Sequence, residues 1–196
     1  MYLYLVRHGK SEGNIVRTFH GWTDYPLIPL GHEQARQVAE KLKEVSFTRC
    51  CASDLQRAWI TANYCLEGRG IVAESCPDLR EHNCGDIEGL TWAEMDEKYP
   101  HIRDGIVTNW LQVTPPGGES PREMRARVGK RIDSIIHRGE NTLVVAHNGT
   151  LQMILLHLGL KSEQELVNPY LVFRQGTYTA IEIDGGRANL LELNRG

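Results

Sequence analysis

The sequence lacks the features that mark a membrane protein, a disulfide-stapled protein or a zinc protein. No apolar run approaches the roughly 20 residues that a membrane-spanning helix needs. The five cysteines are odd in number and show no C-x-x-C spacing, which argues against a disulfide framework and against a zinc cage. No H-E-x-x-H pattern occurs among the eight histidines. The first residues carry no cleavage-site pattern, so we expect no signal peptide and a reducing, cytoplasmic location.

A strong charge of one sign is also missing. The formal net charge is −3, so the chain has no overall positive charge that would attract nucleic acid or an anionic membrane surface. We therefore expect neither as a partner. The length of 196 residues, with 41% hydrophobic and 24% charged residues, suits one globular domain over residues 1–196 with a substantial core. Nothing in the composition specifies an oligomeric state.

Short apolar runs alternate with segments whose apolar residues recur at helical spacing. The pattern predicts strands at residues 2–6, 47–52, 71–75 and 142–146, and a C-terminal hairpin of 177–183 and 188–193. It predicts helices at 32–45, after a cap at Ser53-Asp54, at 91–99 before Pro100, from Ser120-Pro121 onward, and at 150–158. Strands that alternate with helices indicate an α/β fold with a mostly parallel sheet covered on both faces. The least regular stretch, residues 81–118, is a candidate cap or lid inserted into this domain.

Two of the predicted strands end in the same way. The first runs into Arg7-His8-Gly9 and the fourth into His147-Asn148-Gly149, while the second leads to Arg57 on the first turn of its helix. Ligands gather beyond the carboxyl ends of strands in open α/β sheets, so we expect two imidazoles and two guanidiniums to converge there. That donor set suits a phosphate dianion. We expect Gly9 to be glycine so that a ligand can approach the backbone closely.

The motifs around these residues resemble the histidine phosphatase superfamily, the phosphoglycerate-mutase-like family. They are L-V-R-H-G-x-S-x-x-N at residues 5–14, F-x-G-W-x-D-x-P-L at 19–27, S-D-L-x-R-A-x-x-T-A at 53–62, L-R-E at 79–81, P-x-G-E-S at 116–120 and A-H-N-G at 146–149. They run through the whole chain in the family's order. The resemblance implies a phosphoglycerate-mutase-like fold and a small phosphomonoester as substrate.

The resemblance also implies roles for individual residues. His8 would be the nucleophile and Glu81 the proton donor. The phosphate pocket would consist of Arg7, Asn14, Arg57 and His147, with assistance from the Gly21 amide. A neutral imidazole nitrogen of His8 would attack phosphorus, while its other nitrogen donates to a carbonyl that fixes the tautomer. Guanidiniums and His147 would neutralise the phosphoryl oxygens, so we expect neither a metal nor a cofactor.

Two positions depart from the family pattern. Lys10 stands where the family often has an acid or Gln, and we expect this cation to tune the preference for substrate charge. Asn148 stands where Gly is commoner after the second histidine, and we expect Asn to tolerate a left-handed backbone there.

Three functions compete: a phosphomonoesterase, a cofactor-dependent phosphoglycerate mutase, and a non-catalytic protein that binds a phosphorylated ligand. The last is the weakest, because every residue that the chemistry needs is present. His82 and Cys84 stand where the mutases have the Arg and Tyr that hold a substrate carboxylate, and the segment between Glu81 and His147 is shorter than in mutases. The sequence therefore favours the phosphatase. The cap residues that would select its substrate include Trp92, Trp110, Tyr170 and Arg174.

Overall fold

Six strands form one mixed sheet in the computed structural model of the protein, which describes residues 1–16, 18–168 and 170–196. They are β1 (Tyr2–Arg7), β2 (Arg49–Ala52), β3 (Ala73–Ser75), β4 (Thr142–Ala146), β5 (Tyr178–Asp184) and β6 (Arg187–Arg195). Their order is β3-β2-β4-β1-β5-β6. The first four strands in this order pair in parallel, and β5 runs antiparallel to both β1 and β6. The predicted fold class is confirmed, including the C-terminal hairpin.

The described residues form eight α-helices around this sheet. They are α1 (Gly13–Val16), α2 (Pro29–Lys41), α3 (Gln56–Leu66), α4 (Trp92–Lys98), α5 (Pro100–Asn109), α6 (Pro121–Arg138), α7 (Asn148–His157) and α8 (Glu163–Val167). Short 3₁₀ turns lie at Pro77–Leu79, Gly85–Ile87 and Trp110–Gln112. None of the helices in the described part of the chain combines the length and the apolarity that crossing a membrane requires.

Each face of the sheet has its own apolar core, because side chains alternate between the faces of a strand. Leu3, Leu5 and Val144 belong to one core, together with the inward stripes of α6 and α7. Val6 and Val145 belong to the other core, together with residues of α2 and α3. The central strands are therefore buried on both sides, which explains why they read as continuous apolar runs in the sequence.

Pro100 begins a helix that the sequence pattern does not predict. The short helix expected at 91–99 is present as α4, and Thr91 and Glu94 form its capping box. Pro100 then occupies the first turn of α5. Proline lacks an amide hydrogen and has a fixed φ, so it ends one helix and suits the first turn of the next. The candidate cap, residues 81–118, thus contains two consecutive helices.

The start of α3 differs from the prediction that Ser53-Asp54 caps it. The N-cap position is Leu55, whose side chain forms no capping hydrogen bond. The backbone amide of Gln56 donates instead to Oδ1 of Asp24 (2.8 Å), more than thirty positions earlier in the chain. Asp54 pairs with Arg80, and Ser53 is directed toward His147. A distant loop therefore supplies the acceptor that the local sequence was expected to supply.

Candidate active site

The carboxyl ends of three adjacent strands bring His8, His147 and Ser53 together. Strand β4 lies between β1 and β2, so the residues that follow these strands become neighbours. The amide of His8 donates to the Ala146 carbonyl (3.0 Å), and the amide of Ser53 donates to the Val145 carbonyl (3.0 Å). The two imidazole ring centroids are 5.0 Å apart. Both histidines are buried, and their rings are close enough for a single phosphoryl group to lie against both.

The orientation of His8 leaves one nitrogen free. Its Nδ1 lies 2.7 Å from the Gly9 carbonyl oxygen, which can only accept, so Nδ1 carries the proton. Nε2 consequently has an available lone pair. Burial lowers the pKa of His8 well below 6.5, and the charges of Arg57 and Arg7 lower it further. His8 is therefore neutral at pH 7, which is the state that a nucleophile requires.

His147 is held between a guanidinium and a hydroxyl group. Nε of Arg57 donates to Nδ1 of His147 (3.3 Å), so the proton of His147 resides on Nε2, which donates to Oγ of Ser53 (2.8 Å). Burial lowers the pKa of His147 well below 6.5, and Arg57 and His8 add to this effect. His147 is thus a neutral ring with a fixed tautomer.

Arg57 is itself fixed by the loop that contains Gly21. Its Nη1 donates to the Thr23 carbonyl (2.9 Å), and its Nη2 donates to the Gly21 carbonyl (2.8 Å). Burial lowers the pKa of Arg57, an effect that the nearby Glu81 carboxylate opposes. The orientation of the guanidinium is therefore determined before any ligand arrives.

The Gly21 amide, expected to assist in the phosphate pocket, donates to Oε1 of Glu88 (3.2 Å). The amides of Trp22 (2.6 Å) and Thr23 (2.7 Å) donate to the same carboxylate. A Cβ on residue 21 would lie 1.7 Å from the His82 carbonyl oxygen, so this position requires glycine for backbone packing. The sequence motif includes Gly21, but it does not indicate that the Gly21 amide donates its hydrogen bond to Glu88.

Glu81 lies at the amino end of α7, beside the second histidine. Its Oε2 accepts from the amide of Gly149 (3.1 Å), and its Oε1 accepts from the amides of Thr150 (3.2 Å) and His82 (3.0 Å). Its own backbone carbonyl accepts from Nη2 of Arg127 (2.8 Å). The carboxyl group is therefore held at a helix terminus, where unpaired amides are available.

Arg7 and Asn14 lie at the edge of this group. Nη1 of Arg7 donates to the Phe173 carbonyl (3.0 Å), and burial lowers the pKa of Arg7 while Glu81 opposes the shift. Oδ1 of Asn14 accepts from the Ser11 amide (3.0 Å) and from Nε2 of Gln175 (3.1 Å). Asn14 thus closes the turn after His8.

Gly9 and Asn148 each have a packing role that the sequence does not indicate. A Cβ at Gly9 would lie 2.2 Å from the Gly31 carbonyl oxygen, so backbone packing against the start of α2 already requires glycine there. The expectation of a left-handed backbone at Asn148 is corrected. Asn148 is the first residue of α7 and has no left-handed backbone. Its Oδ1 accepts from the Phe173 amide (2.8 Å), and its Nδ2 donates to the Tyr170 hydroxyl (3.1 Å). The amide side chain therefore fastens the segment around Tyr170 and Phe173 to the site.

A cavity of about 260 Å³ adjoins the histidine pair on the side of Glu81. Its lining consists of Thr18, Phe19, His20, Glu81, His82, Cys84, Ile87, Ile106, Trp110, Val113, Pro115, Gly149 and Tyr170. Of the residues expected to select a substrate, Trp110 and Tyr170 line the cavity. Trp92 packs behind Phe19, with ring centroids 4.6 Å apart, and Arg174 contacts Asn194.

His20 is a cavity residue that the motifs do not identify, because it occupies the variable position of F-x-G. Its Nδ1 lies 3.0 Å from the Thr18 carbonyl oxygen, which leaves Nε2 unprotonated in the neutral ring. Burial lowers the pKa of His20 below 6.5.

One cluster of metal-ligating side chains occurs among the described residues: Cys51, Glu74 and Cys76 on and beside β2 and β3. Arg49 (2.6 Å) and Arg131 (2.9 Å) already bind the two oxygens of Glu74. The cluster includes neither histidine of the pair, and the two guanidiniums oppose the binding of a cation. Its role is that of a structural ion pair.

Residues 3–196 match the model of the family described as histidine phosphatase superfamily (branch 1). Among curated relatives, a 2,3-bisphosphoglycerate-dependent phosphoglycerate mutase of Chelativorans sp. is 36% identical, with 84% of each chain covered. An adenosylcobalamin/alpha-ribazole phosphatase of Salmonella typhimurium is 31% identical, with 99% of this chain and 96% of that protein covered. The crystal structure of an alpha-ribazole phosphatase from Shigella flexneri has a TM-score of 0.90 at 28% identity, covering 99% of this chain and 96% of that chain.

Proposed function

The chain belongs to the histidine phosphatase superfamily (branch 1), and from that premise we propose that it hydrolyses a small phosphomonoester through a phosphohistidine on His8. The observation that carries the proposal is the hydrogen bond from Nδ1 of His8 to the Gly9 carbonyl. It leaves Nε2 of a neutral ring as the free nucleophile, next to His147 and two guanidiniums.

In the first step, the Nε2 lone pair of His8 forms a bond to phosphorus as the bond from phosphorus to the alcohol oxygen breaks. Glu81 in its protonated form donates its proton to the departing alkoxide, so a neutral alcohol leaves. Arg7 and Arg57 are the donors for the phosphoryl oxygens, and their own contacts fix them in advance. His147 completes the phosphate pocket when its one N–H, which donates to Oγ of Ser53 in the absence of substrate, is redirected to a phosphoryl oxygen.

In the second step, the Glu81 carboxylate takes a proton from a water molecule as that water attacks phosphorus. The bond between Nε2 and phosphorus breaks, and inorganic phosphate forms with neutral His8. Proton-transfer catalysis of this kind contributes typically about 10²–10⁴-fold to the rate. These steps use only side chains of this chain, so we propose that activity needs neither metal nor cofactor.

A mutase would need donors for a substrate carboxylate beside the phosphate pocket. His82, which lies where mutases have Arg, donates from Nε2 to the Glu119 carbonyl (2.7 Å) instead. Sulfur of Cys84 contacts the His82 carbonyl (3.5 Å). The Salmonella phosphatase also matches the chain over 99% of its length, compared with 84% for the Chelativorans mutase. These observations favour hydrolysis of the phosphohistidine over transfer of its phosphoryl group back to a substrate, as a mutase would require.

We further propose that residues 1–196 form one domain and that residues 81–118 serve as its cap, because they supply most of the apolar wall of the cavity. All five cysteines are free, which agrees with a cytoplasmic site of action.

The nucleophile is tested with 4-nitrophenyl phosphate in the presence of a chelator. We expect turnover in the wild type and a loss on the order of 10³-fold in His8→Ala. His137→Ala, which removes an exposed histidine at the end of α6, is the matched control and should retain activity. Acid-quenched wild type should carry one acid-labile phosphoryl group that His8→Ala lacks. Comparable activity in the His8 variant would exclude covalent catalysis at this residue.

The mutase alternative is tested with 3-phosphoglycerate in parallel enolase-coupled and phosphate-release assays. We expect little 2-phosphoglycerate and no strong stimulation by 2,3-bisphosphoglycerate. Isomer formation that greatly outpaces phosphate release would replace the phosphatase with the mutase.

A further inference from the structure

The cavity beside the histidine pair has a mainly apolar wall. Three aromatic and four aliphatic or proline side chains line it: Phe19, Trp110 and Tyr170, and Ile87, Ile106, Val113 and Pro115. They come from five separate segments, among them the loop after α1, helix α5 and the turn that follows it. The wall is therefore a product of the tertiary fold rather than of one apolar stretch.

The polar side chains of the lining are those of Thr18, His20, Glu81, His82 and Cys84. Nε2 of His82 is engaged with Glu119, and burial lowers the pKa of His20 and raises that of the Cys84 thiol. His20 and the Cys84 thiol are thus uncharged at pH 7. No lysine or arginine is among the lining residues within the described ranges. An anionic substituent in the cavity would therefore meet a mainly apolar wall and no cationic side chain of a lysine or arginine among the described lining residues.

The size of the cavity sets a further limit. Its volume of about 260 Å³ is several times the roughly 30 Å³ share of a water molecule, and it lies near the lower bound of small-molecule sites. It can hold a ring-sized group attached to the phosphoryl oxygen. Side chains of Trp110 and Tyr170 offer aromatic faces for such a ring.

We propose that this cavity receives the leaving group of the substrate, and that this group is an uncharged aromatic ring system. The proposal rests on the phosphatase function stated above and specifies its substrate class. Phosphoglycerates and other phosphomonoesters with a second anionic group are correspondingly poor substrates, because that group would lose its hydration against a mainly apolar wall.

The test compares 4-methylphenyl phosphate with 4-carboxyphenyl phosphate, two rings of similar shape that differ in charge. We expect kcat/KM to be at least tenfold higher for the methyl compound, which corresponds to about 1.4 kcal/mol. The carboxy compound has the better leaving group, so chemical reactivity alone would produce the opposite order.

Two variants on α5 localise the effect. Ile106→Lys places a cation in the wall, and we expect it to shift the ratio of the two kcat/KM values at least tenfold toward the carboxy compound. Val107→Lys adds the same charge one residue away on the solvent side, where Val107 is 63% exposed, and should leave the ratio within twofold.

Trp110→Ala, compared with Trp110→Phe, provides a second probe if Ile106→Lys does not fold. We expect Trp110→Ala to reduce kcat/KM for the methyl compound about tenfold and Trp110→Phe to restore most of it.

The outcomes separate this proposal from the phosphatase function. If neither aryl phosphate releases phosphate, the phosphatase function itself is wrong. If both are hydrolysed but the carboxy compound is equal or better in the wild type, the phosphatase function stands and the preference for an uncharged leaving group is rejected. If Trp110→Ala does not lower kcat/KM for the methyl compound, the aromatic contact is rejected.

Discussion

At the scale of single residues, the site is organised by the hydrogen bonds of its two histidines. Gly9 fixes one ring and Ser53 with Arg57 fixes the other, so each ring has a defined tautomer. Both rings are neutral because burial and neighbouring guanidiniums disfavour the imidazolium form. These two features suit His8 to the proposed role of nucleophile and hold His147 in one orientation beside it.

The depressed pKa values predict how stability depends on pH. The unfolded chain binds protons at these histidines below about pH 6.5, whereas the native state does not, so their contribution is present above pH 6.5 and is lost as pH falls. For each histidine, the free energy of unfolding should fall by about 1 kcal/mol when the pH is lowered from 6.5 to 5.5. Urea unfolding at both pH values measures this fall. In His8→Asn, the free energy of unfolding should fall by about 1 kcal/mol less than in the wild type over the same pH interval. An identical pH dependence in both proteins would contradict a depressed pKa at His8.

Ser53 provides a second prediction at this scale. Ser53→Ala leaves the buried Nε2–H of His147 without an acceptor, which should lower the free energy of unfolding by about 1–3 kcal/mol. We also expect kcat to fall about tenfold, because the orientation of His147 is no longer fixed. Ser75→Ala, at an exposed position at the end of β3, is the control and should change stability by less than about 0.5 kcal/mol. Urea unfolding measures the stability of both variants, and 4-nitrophenyl phosphate kinetics measure their activity. If Ser53→Ala changed stability and kcat no more than Ser75→Ala does, Ser53 would not position His147.

At the scale of elements, strands position the histidines, and residues 81–118, the proposed cap, supply most of the apolar wall of the cavity. The cap is closed by backbone packing between Gly85 and the loop of Pro116 to Gly118. Gly85 has a φ of +53°, and a Cβ there would lie 2.2 Å from both the Pro116 carbonyl oxygen and the Gly118 amide nitrogen. Glycine is therefore required at position 85 for two reasons, its backbone angle and its close neighbours.

The matched pair Gly85→Ala and Gly68→Ala separates these reasons. Gly68 also has a positive φ (+74°), but no atom lies within 4 Å of its added Cβ. Gly68→Ala should cost about 1 kcal/mol of stability from the backbone angle alone and should leave kcat/KM within twofold. Gly85→Ala should cost more and should lower kcat/KM at least tenfold, because the cap wall shifts. Unchanged kinetics in Gly85→Ala would indicate that the closed cap is not needed for turnover.

At the scale of the whole molecule, the fold gathers cationic donors from distant parts of the chain at one edge of the sheet. Arg7 follows the first strand, and Arg57 reaches across to a histidine 90 positions later. An anion that binds these groups in the native state cannot bind them in the unfolded chain. Anion binding should therefore stabilise the entire fold.

Vanadate or phosphate should act as a competitive inhibitor and stabilise the protein by about 2.7 kcal/mol at 100 times its Kd. Arg7→Met should raise the Kd of the anion at least tenfold and so weaken the stabilisation that the anion provides. Arg122→Met, at an exposed position on α6, should leave this Kd unchanged. Urea unfolding with and without anion measures the difference. In a complex structure, the donors should lie about 3 Å from the anion oxygens. An anion located elsewhere would refute the shared site.

Local sequence patterns were enough to predict all six strands, five of the eight described α-helices and the residues that follow each strand, but not α1, α5 or α8. Apolar periodicity is local, so it could be interpreted without knowledge of distant contacts. It placed His8, His147 and Arg57 after strands that a parallel sheet brings to one edge. The motif resemblance added Glu81, which no periodicity would select.

The partner of each of these residues becomes known only from the folded structure. Ser53 contacts His147 across 94 positions, Gly9 packs on Gly31, and Asp24 caps a helix that begins at Gln56. Each was misassigned or left unassigned by the sequence, because the local pattern offered a different role or none. A hydrogen bond or a close approach depends on where two distant segments meet in space, and that is set by packing of the whole sheet rather than by neighbours along the chain.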